Sequence, residues 1–175
     1  MNTAKKHQSC ITDMGAIDKQ LMRKAMGSFA TGVTVVSFYA DGEAAGMTAN
    51  AFMSVSLDPA LIVISVRSES KFNDWVHVGD CYGVNILVDE QEHLSSHFGG
   101  KRIDGLQCPF DKTGEVPLLP ESSTQVVART VDIHRAGDHL LYIAEVEYLN
   151  VEECRSPLLF HNGKYRRVDN KVAHI

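Results

Sequence analysis

Apolar residues in this chain recur mostly at every second position, in short runs divided by glycine- and asparagine-bearing turns. That spacing predicts strands, because successive side chains of a strand point to opposite faces. From Gly32, "GVTVVSFYADGEAAGMTANAF" reads as a β-branched strand, an Asp41-Gly42 turn and a second extended segment. "ALIVISVR", Ala60 to Arg67, is nearly continuous in apolar residues and predicts a strand covered on both faces. "CYGVNILV" predicts another strand, and "TQVVARTVDIH" and "HLLYIAEVEYLN" a long pair joined through Ala136-Gly137-Asp138. "PLLFHNGKYRRV" predicts a closing hairpin, since Asn162-Gly163 suits a type I′ turn.

Three segments carry helical spacing instead. "DKQLMRKAMGSF", from Asp18, puts Leu21, Ala25 and Phe29 on one face, with Met22 and Met26 beside them. "SKFNDWVHVG" predicts a short helix ending at Gly79. "DEQEHLSSHFGG" predicts another, with Asp89 as N-cap, Glu92 three residues on and Gly99-Gly100 as its stop. Residues 101 to 120, rich in Pro and Gly, predict a long surface loop. About seven mostly sequential strands thus stand against three helices. The fold class is mainly β with flanking helices, a barrel or sandwich and not a doubly wound sheet.

Length and charge narrow the classes of function. A chain of 175 residues is a single domain, long enough to bury roughly 70% of its unfolded surface. We read residues 1–17 as a mobile tail and 18–175 as one domain. A net charge of -5 offers no general attraction to nucleic acid or to an anionic membrane. No apolar run approaches the roughly 20 residues of a membrane span, and the N-terminus lacks a signal-peptide core, so a cytoplasmic protein is expected. Cys10, Cys81, Cys108 and Cys154 are scattered with no Cys-x-x-Cys pair, which predicts reduced thiols. His93 and His97 are four apart on a predicted helix, but no glutamate lies between them and no third ligand is implied. No metal is expected.

Three stretches carry candidate chemistry. "GMTANAF", Gly46 to Phe52, is small and polar where a strand should pack a core. It is either a strand bulged at Gly46 or a backbone that a flat ligand approaches closely, with Thr48, Asn50 and Ser54 as partners. "RSESKF" brings Ser68, Ser70 and Lys71 to the start of a predicted helix. That is either an anion site suited to phosphate or simple capping by Ser70. His139, at a strand start after Gly137-Asp138, is either structural or catalytic. No Gly-x-Gly-x-x-Gly follows the first strand, and no Ser/His/Asp arrangement is legible.

Seven pieces in order resemble the short-chain flavin reductases: "MGSFATGVTVVS", "GMTANAFMSVSLDP", "SVRSESKF", "GVNIL", "EQEHLSSHFGG", "GDHLLYIAEV" and "PLLFHNGKYRR". These are the reductase components of two-component flavin monooxygenases, as in the 4-hydroxyphenylacetate 3-monooxygenase system. The resemblance runs from about Leu21 to Val168. It implies a dimeric split β-barrel of the FMN-binding kind, with flavin near the subunit interface. By resemblance, Met47, Thr48, Ala49, Asn50 and Ser54 would line the flavin ring and its ribityl chain, with Ser65, Val66 and Arg67 along the ring through backbone atoms. Ser70 and Lys71 would hold the phosphate. Asn85, Ile86, Leu87, Phe98 and Gly99 would close the pocket, with Tyr165 beside it. His139 matches the histidine of the family's Gly-Asp-His, near where nicotinamide stacks. One departure is Ala60, where the family often has a second proline after Asp58-Pro59.

The implied activity is hydride transfer from NADH or NADPH to FMN or FAD, supplying reduced flavin to a monooxygenase. Two alternatives keep the fold: a flavin-dependent reductase of another acceptor such as a corrin, and a non-enzymatic flavin- or haem-binding protein.

Overall fold

The computed structural model describes residues 16–153 and 155–168. Most of the expected tail lies outside those residues, as do Cys10 and Cys154. Among the described residues there are two α-helices, α1 (Lys19–Gly27) and α2 (Glu92–Phe98). The strands are β1 (Thr31–Gly32), β2 (Thr34–Ala40), β3 (Glu43–Ala49), β4 (Phe52–Leu57), β5 (Ala60–Arg67), β6 (Cys81–Ile86), β7 (Thr124–Ala136), β8 (His139–Val151), β9 (Leu159–His161) and β10 (Lys164–Arg166). Seven of them form one antiparallel sheet in the order β3-β2-β6-β7-β8-β5-β4, and β1-β9-β10 form a small second sheet.

The edges of the large sheet are β3 and β4, which are consecutive in the chain and joined only by Asn50-Ala51. Two residues span little distance, so the sheet must curl until its edges approach each other. The Ser65 N–H donates to the Ala51 carbonyl at 3.0 Å, pinning the join onto β5. The barrel is closed by the chain but open in its hydrogen-bond ladder, a split barrel.

Alternation fills its interior. Val36 and Phe38, Ile62, Ile64 and Val66, Tyr82 and Val84, Val126 and Ala128, and Tyr142 and Ala144 point inward from five strands. Phe72 and Val76 plug one end. β2 is buried along both faces, because α2, the segment around Leu119 and the β9–β10 hairpin pack a second cluster of Val33, Val35, Leu87, Leu94, Leu119 and Leu158 outside it.

The expected turns are present, Asn162 and Gly163 at φ 51° and 74° as a type I′ turn requires, and Asp41 and Gly42 likewise positive at 51° and 77°. Other expectations change. The segment 70–79 makes one 3₁₀ turn, Lys71–Asp74, because Phe72 is drawn into the barrel end before a helix can propagate. The helix at 89–98 starts as a 3₁₀ turn, Asp89–Gln91. Its first free N–H, that of Val88, is capped by the Gln91 side chain and not by Asp89. On β5, Ile62, Ile64 and Val66 are buried, but Leu61 and Val63 on the outer face are only half-covered. Among the described residues the apolar face of α1 covers nothing: Leu21, Met22, Met26 and Phe29 are all exposed, Phe29 by 75%. Among the described residues, no helix is long and apolar enough to cross a membrane.

Candidate functional site

At one end of the barrel the turn between β5 and Trp75 is held unusually firmly for a loop. Phe72 is fully buried, with its ring edge-on to Phe38 and Tyr142 at 5.0 Å each and to Tyr82 at 5.7 Å. Burying that ring stabilises the plug by about 2–3 kcal/mol. Next along the chain, the Asn73 amide donates to the carbonyls of Arg67 (2.9 Å) and Ser68 (3.0 Å) and accepts from the Tyr142 hydroxyl at 3.0 Å. Phe72 and Asn73 together fix the backbone from which Ser70 and Lys71 project.

That turn faces the split. The Ser70 hydroxyl donates to the Met47 sulfur at 3.6 Å, tying the turn to β3. Lys71 is exposed, and so is Asn50 in the join between β3 and β4. Ala49 packs on the barrel core, and its carbonyl accepts from the Thr34 hydroxyl at 2.7 Å. Ser54 is exposed on β4, two residues from Phe52 and so on the same face. Ser65 contributes its N–H to the Ala51 carbonyl. The Val66 side chain belongs to the core, which leaves only its backbone for a ligand. Arg67 is exposed and lies directly opposite His139 in the β5–β8 register.

His139 is oriented by its neighbour: Nδ1 lies 2.8 Å from the Asp138 carboxylate. That hydrogen bond, helped by the imidazole's charge when protonated, holds the Asp138 carboxyl below its ordinary value. The Asp138 carbonyl accepts from the Ser68 N–H at 3.0 Å, so the β7–β8 tip and the Ser68–Lys71 turn form one unit. Met47, Ser70, Lys71, Ser65, Arg67 and His139 are therefore gathered around one open rim. The start of a 3₁₀ turn has little dipole, and Ser70 Oγ already accepts the Phe72 N–H at 3.3 Å. An anion here would rely on Lys71 and the hydroxyls, not on a helix terminus.

The remaining candidates lie elsewhere. Asn85 is fully buried, and its amide is spent within the protein: it donates to the Val35 carbonyl and the Ser37 hydroxyl at 2.9 Å each, and accepts from the Leu119 N–H at 2.8 Å. Leu87 is fully buried in the outer cluster. The Ile86 carbonyl accepts from the Ser123 N–H at 2.9 Å. The Asn85 and Leu87 side chains lock the outer layer to β6, so any part they play in closing a pocket falls to their backbone.

Thr48 points outward and donates to the Ser95 carbonyl at 2.7 Å, while the Ser95 hydroxyl and the Tyr165 hydroxyl share a hydrogen bond of 2.8 Å. A Cβ on Gly99 would sit 2.8 Å from the Ser95 carbonyl in the last turn of α2, so glycine suits the position where the helix ends. Gly46 is set by packing across β3 and shows no bulge. It pairs in regular register with Ser37, and a Cβ there would lie 3.0 Å from Val35 and 3.1 Å from the Phe98 ring. Phe98 thus lies on the outer side of β3, where it lines a cavity of about 470 Å³ with His97, Arg102 and Phe110. The supporting residues Asn73, Asp138 and Ser95 were not singled out from the sequence. Asp138 stood beside a candidate histidine, but nothing local marked the other two.

One group of described residues has metal-ligand types close together, Cys81, Glu115 and Glu147. Arg129 occupies it, bonding Glu147 at 2.6 Å and Glu115 at 3.3 Å. Burial, with the two carboxylates, pushes the Cys81 thiol up to about 12, so the thiolate that a metal needs is disfavoured.

Comparison with known proteins fits this geometry. The model of the flavin reductase like domain matches residues 26–169. An NADH-dependent flavin reductase of a Rhodococcus species is 37% identical over 151 residues, 85% of each chain. The 4-hydroxyphenylacetate 3-monooxygenase reductase component of Thermus thermophilus is 31% identical over 151 residues, 86% of this chain and 97% of its own. The solved flavin reductase PheA2, in its native state, superposes with a TM-score of 0.82 at 39% identity, covering 88% of this chain and 100% of that one.

Proposed function

We infer the activity from one premise: the chain belongs to the flavin reductase like domain family, whose model covers most of it. It is an NADH-dependent flavin reductase that supplies reduced FMN or FAD to a flavin-dependent monooxygenase. The observation that carries the reading is the rim, where an ammonium, hydroxyls and an open backbone meet at the split between β3 and β4. This donor set suits a phosphate with a flat ring attached.

The bound flavin and nicotinamide supply the redox chemistry, a hydride passing from one to the other. The protein's residues bind and aim. Lys71 and Ser70 hold the flavin phosphate, the hydroxyl turning from the Met47 sulfur to do so. Met47, Ala49, Asn50 and the backbone of Ser65 to Arg67 form the surface along which the ring lies. His139, with Nδ1 engaged by Asp138, leaves Nε2 for the nicotinamide carboxamide. Its role is orientation, because hydride transfer needs contact distance and no base. Ser54 and Thr48 stand at the margins, and Phe98, Gly99 and Tyr165 support β3 from behind.

The working molecule is proposed to be a homodimer. Met53, Val55 and Leu57 on edge strand β4 are exposed, Leu57 by 92%, and with the bare face of α1 they form apolar surface that a second copy would cover. Sedimentation should give twice the chain mass; a fully active monomer contradicts an interface site. The activity is tested by NADH consumption with and without added FMN or FAD. Turnover should rise with free flavin, and turnover indifferent to it overturns the reading.

A further inference from the structure

The cavity behind β3 is not used by the rim. It holds about 470 Å³, within the range of small-molecule sites, and lies under the segment 102–110 on the opposite side of β3 from Met47. Its wall combines three kinds of group. Phe98 and Phe110 present ring surface, their centroids 5.6 Å apart and tilted by 51°, with His97 edge-on to Phe98 at 5.1 Å. Arg102 brings a guanidinium, which among the described residues makes no salt bridge and no side-chain hydrogen bond. Asp104 adds a carboxylate, also unbonded among the described residues. Desolvation raises the Cys108 thiol, and Arg102, exposed like Asp104, opposes that rise.

Aromatic faces, a free guanidinium and a free carboxylate match the parts of an adenosine phosphate. The rings stack a purine, the guanidinium takes phosphate in a bidentate grip, and the carboxylate accepts from ribose hydroxyls as acidic residues do in dinucleotide sites. Position agrees with this. Phe98, in the cavity wall, presses on Gly46, one residue from Met47. Ala44, also in the wall, is three residues from Met47 along the edge strand, roughly 10 Å of rise. A phosphate on Ser70 and Lys71 therefore has the cavity within reach around the free edge of β3.

We propose that this cavity binds the adenylate half of a dinucleotide, and of FAD in particular, making Arg102 and Asp104 residues that favour FAD over FMN. The inference rests on the flavin reductase reading, and its test separates the two. Kd values for FMN and FAD would be measured by flavin fluorescence on wild type, Arg102→Ala and Asp104→Asn, with circular dichroism as the check of fold. AMP alone would be titrated and followed by NMR. Arg102→Ala should lower the FAD-to-FMN affinity ratio about tenfold, Asp104→Asn several-fold, and AMP should perturb Phe110 and compete with FAD but not with FMN. If the FAD ratio holds but the variants raise the KM of NADH and not that of reduced nicotinamide mononucleotide, the adenylate comes from NADH; the site stands and its assignment to FAD fails. Unchanged ratios, unchanged NADH constants and no response to AMP overturn the site. Failure of wild type to bind either flavin would instead reject the underlying function.

Discussion

Two polar clusters lie on either side of the barrel wall, and they teach opposite lessons. Around Asn85 the polar groups are buried and every bond is made inside the protein: Asn85 to Val35, Ser37 and Leu119, and the Ser37 hydroxyl to the Pro117 carbonyl. Around the rim, Lys71, Asn50 and Arg67 are exposed, and Ser70 rests on a weak sulfur acceptor. Both clusters are polar groups set within or beside apolar strands. What separates them is whether their hydrogen-bonding capacity is already spent. A buried, satisfied cluster specifies the fold, while an exposed and loosely satisfied one is available to a ligand.

Breaking the buried cluster should have the largest effect. Asn85→Ala strands the Leu119 N–H in a dry site and leaves a cavity, at a cost of about 3 kcal/mol. The thermal midpoint should fall by roughly 6–12 °C for a chain of this size, with flavin affinity of the folded fraction retained. A midpoint within a degree or two of wild type would remove the distinction drawn here. The rim should respond the other way. His139→Ala should leave the midpoint nearly unchanged and raise the apparent NADH constant about five- to tenfold, more than the flavin constant. The reverse order rejects its role toward nicotinamide.

The smallest effect concerns Asp138, whose exposed carboxyl is lowered first by its hydrogen bond with His139. A depressed carboxyl contributes stability that is present above its ordinary value of 3.8 and lost as pH falls through the folded value. The difference in midpoint between wild type and Asp138→Asn should be small near neutrality and vanish on acidification below 3.8. A difference that grows with acid would contradict the contact.

Which of these features the sequence could disclose follows from their range. The turns at Asp41-Gly42 and Asn162-Gly163 were legible because residue type and positive φ are local matters. Strand positions followed from alternation. The segment from Ser70 to Gly79 did not keep its helical spacing, because a long-range contact decided it, Phe72 meeting Phe38, Tyr82 and Tyr142. Gly46 looked like a ligand-facing or bulged position, whereas its cause is Phe98, far along the chain. Asn85 is a similar case: its identity says it needs partners, and only the fold says that Leu119 and Ser37 are those partners. Ser70, Lys71 and His139 stood out singly in the pattern, but their common rim did not, since β3, the Ser68–Lys71 turn and the β7–β8 tip come together only when the sheet curls.

The central claim is that the phosphate of a flavin rests on Lys71 at the split in the barrel. The direct measurement is a binding cycle with FMN and riboflavin, which lacks the phosphate, on wild type and Lys71→Ala. Wild type should prefer FMN by about tenfold or more. Lys71→Ala should erase most of that preference while leaving riboflavin affinity and the thermal midpoint unchanged. A variant that keeps the full preference for FMN would contradict the account.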